Sequence, residues 1–403
     1  MKVTREIENK YNITRQTLHN WIAEELITPP QKDWRGWFKW DIHNEQEIKK
    51  VLKEKCESNN KESVDSPIES LKIYNRRYLG SKLKMLDFIE KVVEENTSGI
   101  KVVADIFGGT GSVADLFRQK GKSIIINDIL FSNYISFLTW FGNEDVDYVK
   151  IKSKIEELNQ LDANEDNYVS DNFGNLYFSM GNARKIGAIR KKIESYNDLG
   201  NREKSFLLTS LMYAMDRVAN TVGHYDAYRR KMDSLKPIYL KVPELNRNRK
   251  NLIYQMDANK LVHDIKADLV YIDTPYNSRQ YGDAYHLLEN IMNWKKPQVT
   301  GVAKKFKNRQ HIKSDYSTNR APKAFYELIS NINSKYILVS YNNMAQKGNG
   351  RSNAKISNEE IISILEGRGK VTVFSTDYNV FTTGKTKING HKEFLYLCEV
   401  ERN

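Results

Sequence analysis

Four consecutive residues in the last third of the chain have side chains that could act on an aromatic amine. They are Asp273, Thr274, Pro275 and Tyr276, and they follow the apolar run ADLVYI, which is typical of a buried strand. The amine of a nucleobase is a weak nucleophile because its lone pair is delocalised into the ring. The Asp273 carboxylate and the Thr274 carbonyl could accept its two N–H groups, and the Tyr276 ring could stack on an extruded base. The alternative is an ordinary β-turn, in which Asp and Pro are common.

A glycine-rich turn nearer the N-terminus could hold a cofactor that contains a nucleoside. The strand-like residues 102–107 lead into residues 108–111, Gly-Gly-Thr-Gly, and a helical pattern follows. Glycines at such a turn let the backbone approach a ligand closely at the start of a helix. Asp128 ends the next strand-like run about 20 residues later, where a carboxylate can accept hydrogen bonds from ribose hydroxyls. Glycine turns alone also occur for purely structural reasons, but the strand, helix and acid together favour a cofactor site.

A sheet is needed to bring these two turns together, and the sequence predicts one. From residue 72 onwards, short apolar runs alternate with helical patterns, which favours a doubly wound, Rossmann-like α/β domain. A stretch at about 130–250 interrupts this alternation, and we interpret it as a largely helical, basic insertion. We predict a linker over residues 56–75, because its first part, CESNNKESVDSPIES, is polar and poor in apolar side chains.

Residues 1–55 predict a small helical unit. The second of its helices carries an apolar stripe made of Leu18, Trp21, Ile22 and Leu26. The expected elements are a helix near residues 5–11, a second helix capped by Thr14 and ended by Pro29 and Pro30, a short β-wing over residues 35–41 and a helix over residues 45–55.

Composition limits the class of protein. The chain of 403 residues is 40% hydrophobic, which provides for a core and excludes a wholly disordered chain. Its two cysteines cannot form a disulfide framework, no apolar run reaches the roughly 20 residues of a membrane helix, and the first residues lack the apolar stretch of a secretion signal. We therefore expect a soluble, cytoplasmic protein. The seven histidines show no paired spacing suited to zinc, so we expect no metal.

The positive charge is concentrated in two blocks. The formal net charge is +12, and residues 181–250 carry +9 while residues 295–325 carry +8, so the rest of the chain is mildly acidic. This distribution is typical of a protein that binds a polyanion such as nucleic acid. The alternative is a solvated, lysine-rich surface, because net charge alone indicates no specific partner.

Taken together, these motifs resemble those of the Dam-like, alpha-group DNA adenine-N6 methyltransferases over roughly residues 76–403. The run RYLGSK at 77–82 matches the family's first cofactor motif, and DIFGGTG at 105–111 matches its Asp-x-Phe-x-Gly-x-Gly at every fixed position. Residues 273–276 fall on the catalytic Asp-Pro-Pro-Tyr, with Thr274 in place of the first proline. Threonine keeps the carbonyl but restrains φ less than proline does. The resemblance implies S-adenosylmethionine as the cofactor, bound by Tyr78, Lys82, Asp105, Phe107, Gly109, Gly111, Asp128 and Asp257.

The resemblance also implies where DNA would bind. The run NSRQY at 277–281, with Tyr285, His286 and Glu289 after it, is similar to a subgroup from type IIS restriction–modification systems, and Arg279 is its candidate DNA contact. The family's target-recognition region occupies the slot of the basic insertion. Bulky side chains there could wedge or stack bases beside Arg229 and Arg230, namely Tyr213, His224, Tyr225 and Tyr228. The alternative is a packed helix, which we favour for Leu208, Leu211 and Met215. The second block, over residues 295–323, would contact phosphates.

The N-terminal unit resembles a MerR-like winged helix-turn-helix. By that resemblance Arg15, Gln16, His19 and Asn20 would face a DNA groove, and Arg35 on the wing would contact phosphate. The alternative is a module for protein contacts or dimerisation.

The sequence thus predicts a site-specific DNA adenine-N6 methyltransferase that flips adenine out of double-stranded DNA. It would act in restriction–modification, with a cognate restriction endonuclease as a further partner, or in an orphan or phage methylation role. Two other functions stay open. One is an RNA adenine methyltransferase, which the helix-turn-helix disfavours because the major groove of duplex RNA is too narrow for it. The other is a non-catalytic DNA-binding regulator, which the acidic turn at 273–276 disfavours.

Overall fold

The structure, a computed structural model, describes residues 2–11, 15–23, 26–61, 70–248, 250–342, 354–377 and 392–401. Internal contacts divide the chain into two compact units, Met1–Glu69 and Ser70–Asn403. Within these described residues, no helix combines the length and the apolar character that crossing a bilayer requires.

The described part of the N-terminal unit contains three helices and a three-stranded sheet. Its elements are β1 (Lys2–Val3), α1 (Thr4–Tyr11), α2 (Arg15–Ala23), β2 (Gln31–Lys32), β3 (Phe38–Trp40) and α3 (Ile42–Lys61). Strand β3 lies between β1 and β2 and is antiparallel to both, so 31–40 form a hairpin. Its core is a single apolar cluster made of Ile7, Leu18, Trp21, Ile27, Trp40, Ile48 and Val51.

Two boundaries in this region differ from the sequence-based prediction. Helix α2 ends at Ala23, and Leu26 is 41% exposed, so the apolar stripe stops before the residue that we expected to close it. Helix α3 continues to Lys61, and Leu71 and Ile73 are buried in the second unit. Both ends of the predicted linker 56–75 are therefore structured. The prediction differs from the structure because a polar composition does not distinguish a solvated helix end from coil. The predicted cap Thr14 lies outside the described residues.

The second unit is built around a mixed sheet. The strands run in the order β11-β12-β10-β7-β4-β5-β6, and β10, β7, β4, β5 and β6 pair in parallel, while β12 is antiparallel to β10 and β11. They are β4 (Val102–Asp105), β5 (Ser123–Asn127), β6 (Leu252–Tyr254), β7 (Ala267–Ile272), β10 (Ser334–Asn342), β11 (Gly369–Asp377) and β12 (Lys392–Val400). A separate hairpin is formed by β8 (Val299–Thr300) and β9 (Lys305–Phe306). The predicted α/β fold with a mostly parallel sheet is confirmed.

Helices cover both faces of this sheet. They are α4 (Leu86–Asn96), α5 (Ser112–Gln119), α6 (Phe131–Phe141), α7 (Tyr148–Gln160), α8 (Tyr168–Phe173), α9 (Met180–Ser195), α10 (Asn201–Val218), α11 (Ala258–Leu261), α12 (Tyr281–Ala284), α13 (His286–Asn293), α14 (Ala321–Asn331) and α15 (Asn358–Glu366). Successive strand residues point to opposite faces, so Val103 joins the cluster under α6 and α10 while Ala104 joins the cluster under α14 and α15. This burial on both faces explains why the strands have continuous apolar runs.

The topology brings three acidic residues to one edge of the sheet. Asp105 ends β4, Asp128 directly follows β5, and Asp273 directly follows β7. Strand β4 lies between β5 and β7 and is parallel to both, so the three carboxyl-terminal ends are neighbours. Ligands of open α/β sheets bind at this edge.

Helices α6 to α10 occupy the crossover from β5 to β6. The stretch we interpreted as a largely helical insertion is helical only up to Val218, since the described residues from 219 to 251 contain no helix.

Candidate active site

An open cleft of about 920 Å³ lies at this carboxyl edge. It is bordered by the loop before α4, the glycine turn, the ends of β5 and β7, the start of α11 and the segment around Tyr316. The predicted site residues that line it are Tyr78, Lys82, Asp105, Phe107, Gly109, Asp128, Asp257, Asp273 and Pro275. The other predicted residues of the two motifs, Gly111, Thr274 and Tyr276, adjoin the cleft in sequence but are not among its lining residues.

The glycine turn is shaped by two residues with positive φ. Gly109 has φ +54°, and a Cβ there would lie 3.2 Å from the Tyr78 ring. Gly111 has φ +82° and precedes the first residue of α5, where a Cβ would lie 3.0 Å from the Phe141 ring. The absence of a side chain at Gly109 therefore leaves room beside the Tyr78 ring in the cleft wall. Gly111 adopts the left-handed conformation that the backbone needs directly before α5.

Asp128 supports the turn from the neighbouring strand. Its Oδ2 accepts a hydrogen bond from the Gly109 backbone N–H at 2.9 Å, and its Oδ1 accepts one from Leu130 at 2.8 Å. Burial raises the pKa of this carboxyl, although these hydrogen bonds oppose the shift. A carboxylate oxygen has more than one lone pair, so both oxygens keep acceptor capacity towards the cleft.

Asp105 is a buried carboxyl of the cleft whose pKa is strongly raised. Its side chain is buried, and its Oδ1 makes no hydrogen bond with the described residues. Burial raises its pKa to about 8, and the negative charge of Asp273 adds to the shift. A buried carboxyl with one unpaired oxygen is a strong candidate to bind a cationic ligand group.

Asp257 approaches the cleft from the other side and is exposed. It caps α11 by accepting hydrogen bonds from the backbone N–H groups of Asn259 and Lys260, at 2.9 and 3.3 Å. Near it, the Tyr316 ring packs edge-on against Phe107 with centroids 5.2 Å apart. These groups give one end of the cleft an aromatic wall beside a carboxylate.

The Tyr78 ring packs against a second aromatic ring and a buried charged side chain. The Tyr78 ring stacks on Tyr285 with centroids 4.6 Å apart, and the Arg76 guanidinium lies 5.1 Å from the Tyr78 ring centre. Arg76 is fully buried and faces Asp216 at 3.5 Å. This assembly fixes the loop that carries the run RYLGSK.

Lys82 contacts the acidic turn directly. Its Nζ lies 2.9 Å from the Asp273 Oδ1, with the lysine side chain 4% exposed. Burial raises the Asp273 pKa, and the Lys82 charge opposes that rise. In this structure the lysine that we expected to contact the cofactor is paired with the proposed catalytic carboxylate.

The rest of the acidic turn is held by packing. The Thr274 side chain is 2% exposed, and its Oγ1 makes no hydrogen bond with the described residues. The Tyr276 ring packs edge-on against Tyr341 at 5.7 Å, and its carbonyl accepts a hydrogen bond from the Lys355 N–H at 2.9 Å. Asp273 and Pro275 therefore face the cleft, while Thr274 anchors the turn in the core.

The predicted DNA contacts separate into exposed and buried groups. Arg229, Arg230 and Arg279 are exposed. Burial lowers the pKa of His224 in the loop after α10, and the charges of Arg279 and Lys305 lower it further. Lys305, on the hairpin β8–β9, pairs with Asp226 of the same loop at 2.5 Å, and the Arg279 carbonyl accepts a hydrogen bond from Ser317 at 3.0 Å. Two basic stretches distant in sequence thus meet beside the turn at 277–281.

Two suggested base-stacking residues were wrong. Tyr213 is fully buried and donates to the Ile73 carbonyl at 2.8 Å, and Tyr225 is 2% exposed and donates to Asp216 at 2.7 Å. Tyr228 is half-buried against Tyr177. The packed-helix alternative is confirmed for Leu208, Leu211 and Met215, which are buried. Aromatic side chains on α10 pack inward because this helix lies against α6 in the core.

In the N-terminal unit, Arg15 and His19 on α2 are exposed, and so is Arg35. Gln16 and Asn20 lie on the same helix, and their side chains are outside the described set. The Arg35 guanidinium lies 5.3 Å from the Trp34 ring centre and 5.0 Å from the Trp37 ring centre. These two exposed indoles were not predicted from the sequence.

Other cleft residues were also missed. Met256, Tyr281, Ser314 and Tyr316 line it. Tyr281 lies within a motif that we had noted, but Tyr316 carries no local signal, because only the fold brings it to Phe107. In the described part of the chain, no three His, Cys, Asp or Glu side chains cluster as a metal site.

Comparisons with known proteins agree with this geometry. Residues 78–348 match the model for "D12 class N6 adenine-specific DNA methyltransferase". The chain is 37% identical over 311 residues to the modification methylase StsI of Streptococcus sanguinis, covering 72% of this chain and 46% of that protein. It is 32% identical over 347 residues to the type II methyltransferase M.NlaIII of Neisseria lactamica, covering 80% and 98%.

The lengths of these relatives differ. A third relative, the type II methyltransferase M.FokI of Planomicrobium okeanokoites, is 32% identical over 317 residues, covering 73% of this chain and 47% of that protein. The chain thus spans about half the length of the StsI and FokI enzymes and nearly all of the NlaIII enzyme. The matched region contains the glycine turn, the acidic turn and most of the cleft. The chain therefore belongs to the D12 class N6 adenine-specific DNA methyltransferase family.

Proposed function

We propose that this chain is a site-specific DNA methyltransferase of the Dam-like group, which uses S-adenosylmethionine to methylate the N6 amine of adenine in double-stranded DNA. The observation that carries this proposal is the meeting of two motifs in one cleft. The glycine turn follows β4, the acidic turn follows β7, these strands are paired, and residues of both turns line the cleft. Family membership gives the reaction class, and the cleft gives a place where cofactor and target can meet.

The residues of the cleft fit S-adenosylmethionine. Asp105 has an unpartnered, buried oxygen that can accept hydrogen bonds from an ammonium group. Asp128 directly follows the strand beside the glycine turn, where ribose hydroxyls bind in such folds. For a purine, the Asp257 carboxylate offers a hydrogen-bond acceptor, and the rings of Phe107 and Tyr316 offer edges or faces for packing. When bound, this cofactor supplies an electrophilic methyl group.

The acidic turn would position the target base. The Asp273 carboxylate and the Thr274 carbonyl would accept the two N–H groups of the extruded adenine, and the Tyr276 ring would stack on it. Orientation and electrostatics would supply most of the rate, with no covalent bond to the protein. Thr274 stands where most of the family has proline, and its burial helps to restrain the turn in place of the proline ring.

Duplex DNA would bind across the mouth of the cleft. Three arginines are exposed: Arg279 after the acidic turn, and Arg229 and Arg230 in the insertion. The second basic block adds exposed lysines such as Lys307 and Lys313. Contacts of this kind to phosphates position a protein on DNA, whereas base edges specify the site. We propose the 130–250 segment as the target-recognition region.

The N-terminal unit would add a second DNA contact. Two helices followed by a β-hairpin support the MerR-like winged helix-turn-helix hypothesis. Arg15, Gln16, His19 and Asn20 lie on α2, which would enter a groove, and Arg35 lies in the hairpin, which would contact phosphate.

The biological setting follows from the relatives' names. Several are called modification methylases or type II methyltransferases, which supports a role in restriction–modification with a cognate endonuclease. An orphan or phage methylation role would use the same chemistry. Either role would be carried out on DNA in the cytoplasm.

The test is methyl transfer from labelled S-adenosylmethionine to mixed duplex DNA. We expect the wild type to label N6 of adenine and Asp273→Asn to lose about 10²–10³-fold in rate, since it weakens the acceptor for the target amine. Asp264→Asn, an exposed carboxylate, is the matched control and keeps wild-type activity. Unlabelled DNA with labelled structured RNA would indicate the RNA enzyme, and DNA binding without any transfer would indicate the regulator.

A further inference from the structure

A buried ammonium at the base of the cleft faces two carboxylates. Lys82 Nζ lies 2.9 Å from Asp273 Oδ1 and 4.0 Å from Glu393 Oε1. The Lys82 and Glu393 side chains are 4% and 5% exposed, so water screens neither charge. Glu393 lies on β12, far in sequence from every motif described above.

Glu393 differs from the other buried glutamate near the cleft. Both oxygens of Glu289 accept hydrogen bonds, from the backbone N–H groups of Phe131 and Ser132 at 3.0 and 2.8 Å. Glu393 Oε2, in contrast, has no hydrogen-bond partner among the described residues. Glu289 is therefore used structurally, while Glu393 keeps an unused acceptor beside an ammonium group.

The Lys82–Asp273 pair creates a conflict for the proposed reaction. The Asp273 carboxylate must accept a hydrogen bond from the target amine, but one of its oxygens already holds the Lys82 ammonium. Moving a buried ammonium away from its partner costs several kcal/mol unless another acceptor receives it. Glu393 is within about 1 Å of hydrogen-bond distance of the same nitrogen.

We propose that Glu393 is a positioning residue that receives the Lys82 ammonium when the target adenine binds Asp273. The handover would free Asp273 Oδ1 for the amine and keep the ammonium paired throughout. No bond is made or broken in this step, since only a hydrogen bond and an ion pair change partners. The proposal rests on the proposed function, because it takes the target amine as the group that displaces Lys82.

Other charged and titratable groups face this cluster. Tyr276 and Tyr271 act on Lys82 from the acidic turn and β7, and Asp105 lies close to Asp273 at the end of β4. Tyr271 and Asp105 line the cleft, Tyr276 lies in the acidic turn, and none of them adds a second cation beside Lys82. Glu393 is therefore the nearest alternative partner of the ammonium that the described ion pairs provide.

A kinetic comparison tests the role in catalysis. We expect Glu393→Gln to lower kcat for DNA methylation roughly 10- to 100-fold, because the amide cannot balance the ammonium and Asp273 stays occupied. Cofactor affinity, measured by calorimetry, should change by less than about twofold. Glu393→Asp should recover part of kcat. Glu399→Gln, on the exposed part of the same strand, is the control and should match the wild type. A kcat of Glu393→Gln equal to that of the control overturns the proposal.

A second experiment tests the handover without any turnover. The Asp273→Asn substitution removes the charge that holds Lys82. In a crystal structure of this variant we expect Lys82 Nζ to lie within about 3 Å of the Glu393 carboxylate. Lys82 remaining on the side chain at position 273 overturns the proposal. If the wild type methylates no DNA but Lys82 moves in this variant, the proposed function fails while the Lys82–Glu393 pairing stands. The two ideas are thus separable, even if Glu393→Gln folds poorly.

Discussion

The charged side chains that bear on the proposed function differ between the two units. In the second unit the informative charges are buried and pair across long sequence distances, as Lys82 does with Asp273 and Arg76 does with Asp216. In the N-terminal unit the wing carries an exposed arginine whose ion-pair partner, Asp33, is two residues away. Burial perturbs pKa values and fixes geometry, which suits chemistry, whereas exposure suits contact with a polyanion. We expect the chemistry in the second unit, and we propose the exposed wing of the N-terminal unit as a DNA contact.

The largest expected effect tests the buried side of this contrast. Arg76→Met leaves Asp216 buried without its cation, so we expect the free energy of unfolding to fall by about 3–5 kcal/mol. The neighbouring Arg77 is exposed, and Arg77→Met should change it by less than about 0.5 kcal/mol. Urea denaturation measures both. Equal losses in the free energy of unfolding would show that burial does not make Arg76 more important for stability than Arg77.

The next effect concerns the acidic turn. Tyr276→Ala removes the ring proposed to stack on the target base, so we expect methyl transfer to fall about 10- to 100-fold. Tyr276→Phe keeps the ring and should retain most activity. Single-turnover transfer to duplex DNA distinguishes them, and a phenylalanine variant as slow as the alanine variant would assign the function to the hydroxyl instead.

A smaller effect follows from Asp105. Its pKa of about 8 in the folded state lies above the ordinary value of 3.8, so the folded state holds this proton more tightly than the unfolded state. Its stabilising contribution is complete below about pH 4 and is lost as the pH rises to about 8, with a slope of at most about 1.4 kcal/mol per pH unit. Asp105→Asn should flatten the dependence of unfolding free energy on pH over this range. An unchanged dependence would show that Asp105 is not perturbed.

The same carboxyl should control cofactor binding. Binding of a cationic group favours ionised Asp105, so the affinity of the wild type for S-adenosylmethionine should rise with pH up to about 8. Calorimetry at several pH values measures this slope, which we expect Asp105→Asn to remove. A variant that keeps the slope would place the titrating group elsewhere.

The smallest effect belongs to the exposed wing. Arg35→Ala should weaken binding to duplex DNA roughly twofold to fivefold and reduce the salt slope by about one ion, because one phosphate contact is lost. Trp34→Ala removes the indole, which is 92% exposed, and should leave the salt slope unchanged. Fluorescence anisotropy at several salt concentrations measures both, and identical slopes for Arg35→Ala and wild type would contradict the phosphate contact.

The sequence predicted the parts of the fold that local patterns encode. The apolar runs at 102–107 and in ADLVYI became β4 and β7, and the glycine turn leads into α5 as expected. Parallel strands buried on both faces leave continuous apolar runs, which are easy to recognise. The strand β6 has only three residues, none of them fully buried, and it was not predicted from the sequence.

The rest of the site depends on tertiary packing. Nothing near Glu393 or Tyr316 in sequence indicates that Glu393 would approach Lys82 or that Tyr316 would line the cleft. Tyr213 and Tyr225 were considered as base contacts because they are aromatic residues in a basic region, but their hydroxyls pair inside the core. Local sequence gives residue types, and only the fold decides which of them face solvent.

The most direct test of the central claim is the methylation state of DNA in a cell. The chain and its Asp273→Ala variant would be expressed in a host without adenine methylation, and genomic DNA would be read by single-molecule sequencing. We predict N6-methyladenine at one recurring sequence with the wild type and none with the variant. Unmodified DNA from cells containing folded wild-type protein, or modification that persists in the variant, would contradict the account.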